Sequence, residues 1–233
     1  MKKYFEKYET FVCILLIVLY VVINSLCINN FGILDYRTTI INTVFTIVLL
    51  FLIFFLKRFS YYGFNKVDNY KKYLYFIPLV VIVSVNLWNG ININNTPNEN
   101  IFYILTMINI GFIEEIIFRG FLFQMMAKNN VKAAIIVTSI TFGIGHIINL
   151  FNGADIIPTL FQIGYAFSIG YLFAIIVYRS GSIIPCVIAH ALQNSLSIFN
   201  VDNVLSTYVI PIILIILPLL YASYINKQSK ERS

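Results

Sequence analysis

Charge is what this chain has least of. Lysine and arginine number 16 and aspartate and glutamate 10, so 11% of the 233 residues are charged, against roughly 25% in a soluble domain. That excludes a globule with an ordinary charged shell. Cysteine is scarce too: Cys13 and Cys27 sit about 21 Å apart along one predicted helix and cannot pair with each other, so with Cys186 they read as buried, inert thiols. No HExxH, no Gly-rich phosphate loop, and no Ser, Cys or Asp set with a convincing base occurs, which removes the common nucleophilic, zincin and nucleotide-binding classes. No Pro-, Gly- or Ser-rich linker and no internal repeat divides the chain. One domain, 1–233, is expected.

What the sequence has is apolar length. Hydrophobic residues make up 59% and the mean hydropathy is +0.83. Runs of about 17 to 25 apolar residues mark membrane-spanning helices, and eight are read here: 11–28, 38–56, 73–90, 101–126, 132–150, 157–178, 183–199 and 204–224. The predicted class is an all-α polytopic membrane protein. The formal charge of +6 could suggest nucleic acid, yet its placement follows membrane topology instead. With the N-terminus inside, fourteen of the sixteen basic residues fall on cytoplasmic segments, leaving only Arg37 outside and Arg119 within a span. The expected topology is N-in and C-in, with the lipid bilayer as a partner and no nucleic acid.

Several local features refine this picture. The stretch Lys2 to Asn29 has an apolar core too long for a secretory signal and no small-residue cleavage site. Leu26 stands where a lipidated Cys27 would need a small residue, so neither cleavage nor lipidation is expected. The loop Lys57 to Lys72 is read as topogenic, although Tyr61, Tyr62, Phe64 and Tyr70 among its basic residues would also suit a headgroup layer. Asn98 or Asn100 could cap the fourth helix. The polar tail from Asn226 reads as disordered.

Against this background three charges stand inside an apolar span: Glu114, Glu115 and Arg119. An ionisable side chain at mid-bilayer costs roughly 2.5 to 3.5 kcal/mol on insertion scales, so such groups pair and mark function. Glu115 and Arg119 are spaced i, i+4 and can pair along one face. Glu114 points about 100° away, free to face a cavity.

The two histidines, His146 and His190, also lie within predicted spans. Counted from the basic residues at their helix ends, Glu114, His146 and His190 reach depths of roughly 21, 21 and 16 Å, one level within the uncertainty of helix tilt. Phe142 lies one turn before His146 on its face, and Gly143 and Gly145 allow close helix approach. Asn194 follows His190 at i+4, and Ser197, read as structural, extends that face.

A carboxylate, two imidazoles and an amide around a wet cavity are the parts of a hydrolase. A carboxylate can deprotonate water, and imidazole and amide N–H groups can meet a tetrahedral oxyanion. Glu114, His146 and His190 could instead form a two-histidine, one-carboxylate zinc site.

At these residues the chain resembles the CAAX-protease and bacteriocin-processing family of intramembrane endopeptidases, formerly grouped as abortive-infection-like (Abi) proteins. The family's EExxxR reads Glu114-Glu115-Ile-Ile-Phe-Arg119, its FxxxH reads Phe142-Gly-Ile-Gly-His146, and its HxxxN reads His190-Ala-Leu-Gln-Asn194. The resemblance covers a core of about 101–199. It implies that Glu114 and His146 activate water, that His190 and Asn194 hold the oxyanion, and that Glu115, Arg119 and Phe142 support the site. Family members are widely described as metalloproteases, but the same residues serve a metal-independent glutamate protease, the reading preferred here; zinc, if used, would sit on Glu114, His146 and His190.

Eukaryotic relatives trim prenylated proteins, while bacterial ones are linked to processing of, or immunity to, bacteriocin and signalling peptides. The richness in Asn, Ile, Lys and Tyr points to an AT-rich bacterial genome, hence a plasma membrane protein with a membrane-associated peptide or protein as substrate. The rivals are a catalytically silent immunity or scaffold protein, and a transporter protonated at Glu114. Missing half-repeats and broken helices disfavour the second.

Overall fold

A computed structural model describes residues 2–67 and 69–230, with the side chains of all of these except 2–4, 70 and 228–230. The basic groups of Lys2, Lys3, Lys230 and Arg232, which the charge distribution used, therefore lie outside the description, as does the side chain of Tyr70. Among the described residues every regular element is helical.

A short α1 (Lys2–Lys7) precedes α2 (Glu9–Phe31) and α3 (Tyr36–Leu56). After a loop comes the short α4 (Ile77–Ser84), followed by α5 (Pro97–Ala127), α6 (Val131–Phe151), α7 (Ile156–Ser180), α8 (Ile184–Phe199) and α9 (Leu205–Lys227). Six of these, α2, α3, α5, α6, α7 and α9, are long and apolar enough to cross a membrane.

The other two expected spans are shorter. The stretch 73–90 is helical in three unequal pieces, a 3₁₀ turn at Tyr70–Phe76, α4 with Pro78 in its first turn, and a second 3₁₀ turn at Val85–Leu87. Proline cannot continue a preceding helix, which separates the first piece from the second. The stretch 183–199 forms α8, a shorter apolar helix with Pro185 in its first turn. Apolar length marked both segments as membrane-spanning helices, but a run of that length does not by itself distinguish a full crossing from a shorter one.

Packing places α5 and α7 at the centre. Half of the most apolar window of α5 and 56% of that of α7 are buried, against 22% in α2. The outer face of α2 leaves Phe11, Ile14, Val18 and Val22 exposed at helical spacing. Such a stripe is stable against lipid and would aggregate in water. Between α3 and α5 the glue is polar: the Thr39 and Thr106 hydroxyls are 2.8 Å apart, and Asn109 donates to Thr43 and accepts from Thr46. Such side-chain bonds between helices hold where hydrophobicity gives lipid tails and protein equal claim.

α5 begins earlier than the sequence suggested. Its cap is neither Asn98 nor Asn100: Thr96 accepts from the Glu99 backbone N–H, the Glu99 carboxylate accepts from the Thr96 N–H, and Pro97 takes the first helical position. This reciprocal box satisfies two otherwise orphaned donors. Further along, Ile116–Leu122 widens into a wholly buried π-helical segment, in which the Phe123 N–H donates to the Phe118 carbonyl.

The loop after α3 packs inward. Tyr62 is fully buried against Phe121, with ring centroids 4.4 Å apart, and the Gly63 carbonyl accepts from the Ile183 N–H at the start of α8. One end of the bundle collects basic groups: Lys128 and Arg58 surround the buried Glu9, and Arg179 donates to Asn226. The segment from Asn226 continues as helix to Lys230, which corrects the disordered tail expected there; 231–233 fall outside the described residues. All three cysteines are free and buried.

Candidate active site

The motif residues come together because three helices bring them from different directions. Running antiparallel to α6 and α8, α5 carries Glu114 and Glu115 inward; α6 supplies Phe142 and His146, and α8 supplies His190 and Asn194. Small residues set the distances. A Cβ on Gly111 would stand 2.8 and 2.9 Å from the Ala191 N and Cα atoms, so α5 and α8 touch backbone to backbone beside His190. A Cβ on Gly143 would stand 2.9 Å from the Ile163 carbonyl oxygen, locking α6 to α7, whereas Gly145 has open space and makes no such approach.

Glu115 and Arg119 pair at 3.0 Å, both wholly buried. The guanidinium also lies over Phe142, 4.4 Å from the ring centre, with Phe173 at 5.7 Å on another side. Cation–π contact compensates a desolvated guanidinium where hydrogen bonds run out, and here Arg119 Nε and Nη2 have no hydrogen-bond partner among the described residues. Gly170 makes room for the group, since a Cβ there would stand 2.7 Å from Nη2.

His190 bridges the two glutamates. Its Nδ1 is 2.8 Å from Glu115 Oε1 and its Nε2 is 3.4 Å from Glu114 Oε2. The 100° offset between the carboxylates thus puts them on two sides of one imidazole. Phe142 meets both histidines edge to face, at centroid distances of 5.4 Å to His146 and 5.8 Å to His190.

One functional neighbour escaped the sequence reading. Tyr20 on α2, itself buried, donates its hydroxyl to Glu114 Oε1 at 2.6 Å. Its only sequence signal was a polar atom on an apolar helix, and tyrosine is too common in membrane proteins for that to decide anything.

Glu114, His146, His190 and Asn194 all line one cavity of about 310 Å³, with Tyr20 and Phe142. Neither His146 nor Asn194 has a side-chain hydrogen bond among the described residues, so their donors face open space. Ser197 is held by Tyr103 at 2.7 Å and by the Asn194 carbonyl at 2.6 Å, the structural role expected of it. A wider groove of about 760 Å³ between α4 and α8 is almost wholly apolar and touches none of the motif residues.

Glu114 is engaged by Tyr20 and His190, and His190 Nδ1 by Glu115. Among the described residues no three His, Cys, Asp or Glu side chains converge into a set that could hold a metal ion. As arranged, the donors do not fit zinc, and no step below runs through one.

Comparison with known proteins agrees with the motifs. Residues 96–196 match the family described as type II CAAX prenyl endopeptidase Rce1-like. That segment contains all three motifs, and the resemblance read from them holds over it. No curated protein and no solved structure matches the chain.

Proposed function

We propose that this chain, Rce1-like from 96 to 196, is an intramembrane endopeptidase that hydrolyses a peptide bond in a membrane-associated peptide or protein without a metal. One observation carries the reading: four ionisable or amide groups from α5, α6 and α8 line one cavity inside an apolar bundle. In this mechanism Glu114 takes a proton from a water lying between it and His146, and the water oxygen adds to the substrate carbonyl. Asn194 donates to the resulting oxyanion, joined by the Nε2–H of His190, whose ring carries both protons in this role and donates through Nδ1–H to Glu115. The C–N bond then breaks, and the proton held by Glu114 leaves with the amine.

The roles of Glu115 and Arg119 follow from burial. Their pair fixes the imidazole and makes a charged helix tolerable away from water. The Asn-, Ile-, Lys- and Tyr-rich composition supports a bacterial plasma membrane setting, with peptide maturation or immunity as the physiological task. Glu114→Gln and His146→Ala should each abolish cleavage while leaving membrane insertion intact. Cleavage at the normal rate by either purified variant would show that the water-activating pair is wrongly assigned.

A further inference from the structure

The cavity has a direction. From Glu114 its wall climbs α5 through Ile110, Met107 and Tyr103 toward the helix N-terminus, to Ser25, Ile33 and Asn152 near the α2–α3 and α6–α7 turns; these are half-buried where Phe142, Ala166 and Ile169 at the other end are buried, so the mouth is taken to lie here. The basic groups Arg58, Lys128 and Arg179 collect at the opposite end of the bundle. Basic residues mark the cytoplasmic side of a membrane protein, which puts the mouth on the other side.

The wall also has a chemistry. Between the mouth and His190 it carries the amides of Asn24, Asn86, Asn149, Gln162, Gln193 and Asn194, and no Lys, Arg or Asp lines it among the described residues. Each side-chain amide offers donors and an acceptor together. That complements an extended backbone, which presents N–H and C=O groups repeatedly at about 3.4 Å per residue. Some of these amides are already held, Asn149 to Gln162 at 2.7 Å and Asn86 to the Gln193 carbonyl at 2.6 Å, so their positions are set before a ligand arrives. A charged ligand side chain would lose water and meet a counter-charge only at the Glu114–His190 pair, which the reaction itself occupies.

We propose that the cavity takes an extended, uncharged peptide segment presented from the face opposite the basic residues, its backbone held by side-chain amides. This deepens the endopeptidase reading of the same site and rests on it. It separates the substrate from one delivered at the cytoplasmic surface by a charged tail.

The test uses the full chain carrying Glu114→Gln, so that peptides stay whole, with one added cysteine; the native cysteines are buried and set a low background. Ser25→Cys, at the mouth, is exposed to a membrane-impermeant maleimide in intact cells and in inverted vesicles. Gln193→Cys, on the wall, is labelled in the presence of end-blocked hexapeptides built from Ala, Ser, Val, Asn and Gln, or of the same pool with Lys or Asp at the centre. The mouth cysteine is expected to react in intact cells, and the uncharged pool to protect the wall cysteine at a concentration about tenfold lower than the charged pool. Labelling of Ser25→Cys only in inverted vesicles, or equal or absent protection by the two pools, overturns the proposal. Protection with no hydrolysis of the same peptides by the parent chain would instead count against the endopeptidase reading and leave this one standing.

Discussion

Tyr20 and Glu114, 94 positions apart in sequence, are joined by a buried hydrogen bond of 2.6 Å. The bond ties α2, which lies outside the Rce1-like segment 96–196, to the carboxylate proposed to activate water. A hydroxyl donating to one oxygen leaves the other to face His190 and the cavity. Orientation of the base is thereby entrusted to a helix that carries none of the three motifs.

Tyr20→Phe removes that donor and little volume. A hydrogen bond to a charged group is worth about 1.5 to 3 kcal/mol, so kcat should fall about ten- to hundredfold. KM should stay within about twofold, because Tyr20 acts through Glu114 rather than on the substrate backbone. Steady-state kinetics on a purified, correctly folded variant decides it. A raised KM with unchanged kcat would move Tyr20 from the base to substrate binding.

Arg119→Leu takes its cation from Glu115, whose side chain is wholly buried. Removing one partner of a buried ion pair costs about 3 to 5 kcal/mol, and stacking on Phe142 is lost with it. Thermal unfolding in detergent should drop by several degrees or more, and activity should fall with it, because the Glu115 carboxylate that holds His190 Nδ1 loses its own anchor. The double variant Arg119→Leu with Glu115→Leu should recover part of the stability without recovering activity. Equal stability of the single variant and the parent would refute the structural role of the pair.

Gly111→Ala tests the geometry without touching a functional group. Its new methyl would stand 2.8 Å from the Ala191 nitrogen, forcing α5 and α8 apart at a cost of about 1 to 3 kcal/mol. Because His190 precedes Ala191, the Glu114–His190 separation should widen and kcat should fall more than stability alone explains. Gly120→Ala, where an added methyl meets nothing nearer than the Tyr62 carbonyl oxygen at 3.8 Å, is the control and should leave kcat unchanged.

Exhaustive chelation should leave hydrolysis intact, measured alongside metal content of the purified protein. Stoichiometric zinc, with activity lost on its removal and restored on its return, would overturn the metal-independent mechanism. The Glu114, Glu115 and His190 contacts would then have to rearrange to free the donors.

Much of the site was legible because helices have a period. The i, i+4 spacings of Glu115 with Arg119 and of His190 with Asn194 predict shared faces from sequence alone, and the pair at 3.0 Å and the common cavity lining follow that geometry. The capping box is written in Thr96-Pro97-Asn98-Glu99, where Asn98 and Asn100 offer competing caps by residue type alone. The inward packing of Tyr62 was not: a tyrosine in a basic loop suits a headgroup layer as well as a protein core, and only Phe121 across from it makes the choice. The expected spans at 73–90 and 183–199 are shorter helices for a related reason. An apolar run reports apolar surroundings, and where Pro78 and Pro185 start a new helix decides how much of the run that helix takes.

Composition and the length of the apolar runs together pointed to an all-helical protein with most of its length in apolar spans, since only helices and closed barrels satisfy their own backbone away from water and these runs are too long for barrel strands. Rarity of charge then singled out Glu114, Glu115, Arg119, His146 and His190 before any contact was known. What only the tertiary structure decided is who meets whom: His190 between two carboxylates, Tyr20 on Glu114, and a π-helical turn that carries Arg119 beneath Phe142. Those relationships join residues far apart in sequence through helix packing, and no local pattern encodes the angle at which two helices cross.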